Sequence, residues 1–160
     1  MAIAVGFGAG YVPIAPGTAG SALALPVAWG LYRAGGFLLV VLGAVVVTLA
    51  GIWAASRAEE HYGEHDCQHI VVDEIAGQLL SVVVVPCTWL NLLVAFGWFR
   101  LFDSVKPFPA GWVDREMPGG LGVMLDDVIA GVYAAGATAL LVHTGLVASG
   151  ARHVAALLGW

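Results

Sequence analysis

Five carboxylates carry the chemical potential of this chain. Asp73 and Glu74 are adjacent, Asp126 and Asp127 are adjacent, Asp103 lies between the two pairs, and each borders an apolar run. Ionisable groups at the edge of apolar helices are costly, and they persist where they are used. Oxygen donors of this kind suit a hard cation, and Mg²⁺ in particular combines carboxylates with water and a substrate phosphate. Arg100, Asp103 and Lys106 recur every three residues, which places them on one helix face, and Pro107 ends that helix. Arginine or lysine there can clamp phosphoryl oxygens. The chemistry these residue types suggest is metal-assisted attack on a phosphate ester. A plainer reading makes Asp73 and Asp126 helix caps and leaves Arg100 and Asp103 as an interfacial ion pair.

Other candidates surround this set. The segment APGTAGS, residues 15–21, with Pro16, Gly17, Thr18, Gly20 and Ser21 as candidate substrate-binding residues, offers glycine-exposed backbone N–H groups, the Thr18 hydroxyl and a helix start, where a phosphate can bind. It lacks the lysine of a Walker A loop, so it serves equally well as an architectural turn. Arg115 is a further cation for the headgroup side. His61, His65, Cys67 and His69 have zinc-ligand chemistry, but no paired CxxC supports it. No cysteine-x5-arginine loop, no DxDx[TV] start and no arginine and histidine pair of the acid lipid phosphatases occurs.

Helices must position these groups. Residues 1–20 are broken by glycine and proline and read as a structured loop. Ser21 is the expected N-cap of a short apolar helix to about Arg33, Gly35-Gly36 makes a turn, and a second helix runs from Phe37 to about Glu60. The run 75–99 is interrupted by Pro86, with Thr88 and Asn91 as turn or capping groups, which predicts a helical hairpin that returns Asp103 to the side of Asp73. Arms of about 13 residues rise only ~20 Å, so the hairpin is expected to be re-entrant or tilted. Residues 107–125 read as an ordered loop, and the last helix is expected from Asp126 to about Val147. DEIAG at 73–77 and DVIAG at 127–131 echo each other, and small residues four apart would let these two helices pack closely, bringing Asp73 beside Asp127.

The whole chain of 160 residues is 60% hydrophobic and 11% charged, and no charge occurs at 34–56, 75–99 or 128–151. Each gap suffices for a bilayer span of about 20 residues. The expectation is a single all-α, integral-membrane bundle of about five helices. The net charge of −5 excludes a basic nucleic-acid surface, and two cysteines are too few for a disulfide framework. The amino terminus, without a basic region, does not read as a cleaved signal. Arg57, Arg100, Lys106 and Arg115 on the site's face, against Arg33 and Arg152 opposite, favour a cytoplasmic site. A cation transporter or channel and a non-catalytic scaffold are the competing classes, and oligomeric state is left open.

Taken in order, GFGAGYVPIAPGTAGS, HDCQHIVVDEIAG, FRLFDSVKPFP and GGLGVMLDDVIAGV resemble the phosphatidylglycerophosphatase A family over about residues 3 to 135. The resemblance implies a magnesium-dependent enzyme of the bacterial inner membrane that removes the terminal phosphate of phosphatidylglycerophosphate among membrane lipids. It maps the family's acidic positions onto Asp73, Glu74, Asp103, Asp126 and Asp127, with Lys106 beside them. On that basis Asp73, Asp103 and Asp127 are expected to bind Mg²⁺, with Glu74 or Asp126 orienting water or completing the metal shell. Lys106, with Arg100 or Arg115, would neutralise the phosphoryl group, and the 15–21 loop would hold the other side of the headgroup. An aspartyl-phosphate route through Asp103 stays open.

Overall fold

The structure, a computed structural model, describes residues 1–64 and 67–147, and among these every regular element is helical. A 3-10 helix, Gly6–Tyr11, precedes α1 (Pro16–Tyr62), α2 (Val72–Ser81), α3 (Trp89–Val105), α4 (Ala110–Glu116) and α5 (Gly119–His143). At 1.5 Å per residue an unbroken α1 would run ~70 Å, more than twice a ~30 Å bilayer core. It does not run straight. Gly36 adopts φ 67° and ψ −161°, a conformation cheap only for glycine, and Gly35 is also non-helical. The chain folds back there, so that the Leu31 side chain packs against Gly43. The expected turn at Gly35-Gly36 therefore stands, and α1 is a hairpin of two limbs.

The start of α1 differs from the expectation. The helix begins at Pro16, a residue whose fixed φ suits the first helical position, and Ser21 is interior rather than an N-cap. Its hydroxyl donates to the Gly17 carbonyl at 2.8 Å, one turn back. Residues 107–125, expected as a loop, contain α4 and the first part of α5. Asp126 and Asp127 thus lie about two turns inside α5 instead of at its N-terminus, because the glycine-rich stretch at 119–122 is helical. Those glycines serve packing: a side chain at Gly120 would strike the backbone of α1 at Ile52 and Ser56. The hairpin around Pro86 is present. The Thr88 hydroxyl caps α3 by accepting from the Asn91 N–H at 3.3 Å, and the Asn91 amide donates to the Pro86 carbonyl at 2.8 Å. Arg152 and His65 lie outside the described residues.

Packing inverts the usual distribution of size. The buried positions are dominated by small residues, among them Ala24, Ala28, Ala44, Ala54, Ala55, Ala58, Ala76, Ala95, Ala130 and Ala134. Large apolar side chains such as Phe37, Leu38, Val46, Leu49, Trp53, Leu93 and Leu140 are exposed. In water such a surface would aggregate; in lipid, small interfaces are what let helices approach. The α2–α5 crossing illustrates this: a Cβ on Gly77 would lie 2.5 Å from the Asp127 carbonyl, and one on Gly131 would strike the Gly77 carbonyl. The echoed DEIAG and DVIAG segments are the two sides of this contact. Among the described residues two helices, α1 and α5, are long and apolar enough to cross a membrane. At the end of the bundle remote from the carboxylates, Trp29 stacks on Trp89 with ring centroids 5.9 Å apart, and the Arg33 guanidinium sits 5.9 Å from the Trp29 ring.

Candidate active site

Three helices deliver the carboxylates to one end of the bundle. Asp73 and Glu74 occupy the first turn of α2, where the helix dipole favours negative charge. The Asp73 carboxylate accepts from the Glu74 N–H at 3.0 Å, which fixes one of its oxygens. Asp127 arrives from α5 through the Gly77–Gly131 crossing, Arg100 and Asp103 from the last turns of α3, and Lys106 from the residue that ends α3 in a left-handed conformation. The N-terminal turn of α1 closes the wall. A side chain at Gly17 would overlap the Glu74 carboxylate and lie 3.3 Å from the Arg100 guanidinium, so glycine there lets the helix end approach both charges.

The result is a cavity of about 290 Å³ lined by Ala15, Pro16, Gly17, Gln68, Ile70, Asp73, Glu74, Arg100, Asp103, Lys106, Asp126 and Asp127. Ligand oxygens of Asp73, Glu74 and Asp127 lie within 4.8 Å of one another. Asp73, Asp126 and Asp127 are 6%, 5% and 3% exposed, so bulk water screens them little. Arg100 pairs with Asp103 at 2.7 Å, lies 3.8 Å from Glu74 and donates to the Ser21 hydroxyl at 3.3 Å. The Asp103 and Asp127 side chains also meet. Lys106 donates to Asp126 at 2.7 Å and to Asp114 at 2.5 Å. Burial works against the Lys106 charge, but these two hydrogen bonds outweigh it and raise its pKa above the ordinary lysine value. Lys106 therefore stays an ammonium throughout the physiological range.

Five carboxylates face two basic side chains across this cavity. The excess negative charge and the all-oxygen donor set fit a divalent hard cation, which Asp73, Glu74 and Asp127 are placed to hold. The remaining space, walled by Arg100 and Lys106, suits an anion bound next to that cation.

Most residues singled out in the sequence meet here, though with altered partners. Glu74 joins Asp73 and Asp127 in the tight group, while Asp103 is taken up by Arg100 and Asp126 by Lys106. From the 15–21 segment, Pro16 and Gly17 line the cavity and Ser21 supports Arg100, whereas Gly20 packs on Val71 and Thr18 is not among the lining residues. Arg115 is a correction. It lies in a separate cleft with Glu59, Glu60, Glu64 and Glu116, because α4 turns it away from its neighbour Asp114. His69 is occupied as well: its Nδ1 is 2.9 Å from the Gly10 carbonyl, and its ring packs between Tyr11 and Tyr62. Sequence reading missed Gln68, Ile70 and Asp114. Asp114 stands eight residues beyond Lys106, across a proline-rich turn, and no helical periodicity links them.

Fold and cavity together define a small helical-bundle protein with an acidic pocket at one end of apolar helices. The chain belongs to the phosphatidylglycerophosphatase A family, whose profile matches residues 2–142. It is 37% identical over 149 residues to phosphatidylglycerophosphatase A of Escherichia coli, covering 88% of this chain and 82% of that protein. The Haemophilus influenzae phosphatidylglycerophosphatase A is 35% identical, with 82% of each chain covered. A Bacteroides thetaiotaomicron protein, provisionally named a phosphatidylinositol-3-phosphatase, is 44% identical over 82% of this chain and 86% of its own. No solved structure matches the chain significantly.

Proposed function

We propose that this protein is a membrane-embedded, magnesium-dependent lipid phosphatase that hydrolyses phosphatidylglycerophosphate to phosphatidylglycerol and inorganic phosphate at the cytoplasmic face. The observation that carries this reading is the convergence of Asp73, Glu74 and Asp127 within 4.8 Å, beside Arg100 and Lys106, in one cavity at the polar end of an apolar bundle. Membership in the phosphatidylglycerophosphatase A family supports the substrate.

Each residue has a role that its surroundings support. Asp73, Glu74 and Asp127 would hold Mg²⁺, which when bound supplies Lewis-acid polarisation of a phosphoryl oxygen and lowers the pKa of water. Lys106 and Arg100 bind the remaining phosphoryl oxygens and stabilise the charge that grows on them in the transition state. Arg100 is fixed for this by Asp103 and Ser21. Asp126 holds the Lys106 ammonium at the cavity wall. The apolar exterior keeps the acyl chains in the bilayer while the headgroup enters from the polar end.

A second substrate, phosphatidylinositol 3-phosphate, is favoured by the 44% identical relative. Both are phosphomonoesters on glycerophospholipid headgroups, and the same charged wall would serve either. Phosphate release from each lipid in detergent micelles, with magnesium and with a chelator, tests the reading. Release from phosphatidylglycerophosphate that stops with chelator supports it; metal-independent release, or turnover of the inositol lipid alone, overturns it.

A further inference from the structure

Lys106 is held from two sides, and only one of them belongs to the cavity. Asp126 lines the wall and is 5% exposed; Asp114, the closer partner at 2.5 Å, is not among the lining residues and reaches Lys106 from α4. The docking of α4 makes this reach possible. Gly111, in its first turn, lies so close to Lys106 that a Cβ there would come 2.6 Å from the Lys106 carbonyl and 3.5 Å from its Cβ. Lys106 itself sits at φ 45°, the left-handed turn that ends α3, so its side chain leaves the helix axis toward α4 and α5. A lysine has four rotatable side-chain bonds, and a single acceptor leaves its ammonium mobile. Two acceptors on different helices confine it to one place.

We infer that Asp114 is a positioning residue: it sets the location of the Lys106 ammonium, and through it the affinity of the cavity for a phosphoryl group, without touching that group itself. This deepens the phosphatase reading and rests on it for the identity of the substrate, but the predicted effect on anion binding stands apart from turnover. Asp114 would then act on phosphate affinity more than on the rate of the chemical step. The neutral isostere keeps size and loses the charge-assisted bond, while glutamate keeps the charge one methylene further out.

The test uses full-length protein in detergent with magnesium present. Binding of inorganic phosphate is measured by calorimetry for wild type, Asp114→Asn, Asp114→Glu and Lys106→Met, and KM and kcat are measured in parallel on phosphatidylglycerophosphate. Asp114→Asn should weaken phosphate binding and raise KM about ten-fold, the size expected for a charge-assisted hydrogen bond, with a smaller change in kcat. Asp114→Glu should recover part of the loss, and Asp114→Asn should add nothing once Lys106→Met is present. Equal phosphate affinity in wild type and Asp114→Asn overturns the inference, as does a loss confined to folded yield or kcat, or full additivity with Lys106→Met. A wild type that binds phosphate in this Asp114-dependent way but hydrolyses neither lipid sinks the substrate reading and leaves the positioning role standing.

Discussion

Asp127 is a buried carboxylate that meets three others, and such a group is tolerated only where something compensates its charge. Replacing it by asparagine keeps its shape and removes one donor from the tight group with Asp73 and Glu74. Asp127→Asn and Asp73→Asn should each cut phosphate release by about a hundred-fold or more, the scale of losing one preorganised electrostatic group, and should weaken magnesium binding measured by calorimetry. Well-folded variants with wild-type activity would remove the metal site. Arg115 provides the contrast at the same scale. Because it faces the cleft of Glu59, Glu60 and Glu116 rather than the carboxylates, Arg115→Ala should leave activity within about two-fold in the same assay. Residue chemistry was the most legible level in the sequence: acids bordering apolar runs announce themselves by cost. What stayed hidden was part of the pairing. The three-residue spacing offers the Arg100–Asp103 pair, but that Asp126 answers to Lys106 depends on side-chain direction between two helices, which the spacing does not constrain.

Elements bring these residues together through close contacts that only glycine permits. A helical glycine replaced by alanine ordinarily gains ~0.5–1 kcal/mol. At Gly77 and Gly131 the new methyl would strike backbone carbonyls of the opposing helix, which cannot rotate away, and overpacking costs about 1–3 kcal/mol. The clash should win. Gly131→Ala is expected to lower the thermal midpoint in detergent and to reduce activity per folded molecule, because spreading α2 from α5 moves Asp73 from Asp127. Gly36→Ala should behave differently. Its φ of 67° makes alanine strained by about 1–3 kcal/mol, yet it lies at the end remote from the cavity, so stability should fall while activity per folded molecule is kept. The same glycines explain where sequence reading faltered. The stretches at 16–20 and 119–122 look like loops by composition, but Gly17 and Gly120 sit inside helices as points of contact with Glu74 and with the second limb of α1. Composition alone cannot separate a glycine that breaks a helix from one that lets another group in. The turn at Gly35-Gly36 and the hairpin at Pro86 were legible because there the special residues do act on the backbone.

At the scale of the molecule, the distribution of charge along the bundle predicts which end faces which compartment. Arg57, Arg100, Lys106 and Arg115 all belong to the carboxylate end, and Arg33, over the ring of Trp29, which in turn stacks on Trp89, marks the other. Basic residues are retained on the cytoplasmic side and aromatic rings favour the interface, so the cavity is expected to open to the cytoplasm. A limb from Pro16 to the Gly35 turn rises ~30 Å, enough to separate the two ends by the thickness of a hydrocarbon core. Single cysteines test both statements once Cys67 and Cys87 are replaced. Glu116→Cys lies at the cavity end and Ala34→Cys at the remote end, and both positions are exposed. With an impermeant maleimide on intact cells whose outer membrane has been opened, Ala34→Cys should label at once and Glu116→Cys only after the inner membrane is permeabilised. The reverse pattern would turn the cavity outward and exclude a substrate supplied from the cytoplasm. Labelling of both from one side would mean that the α1 limbs do not cross the bilayer, and that the exposed large side chains of the bundle are covered by something other than lipid chains.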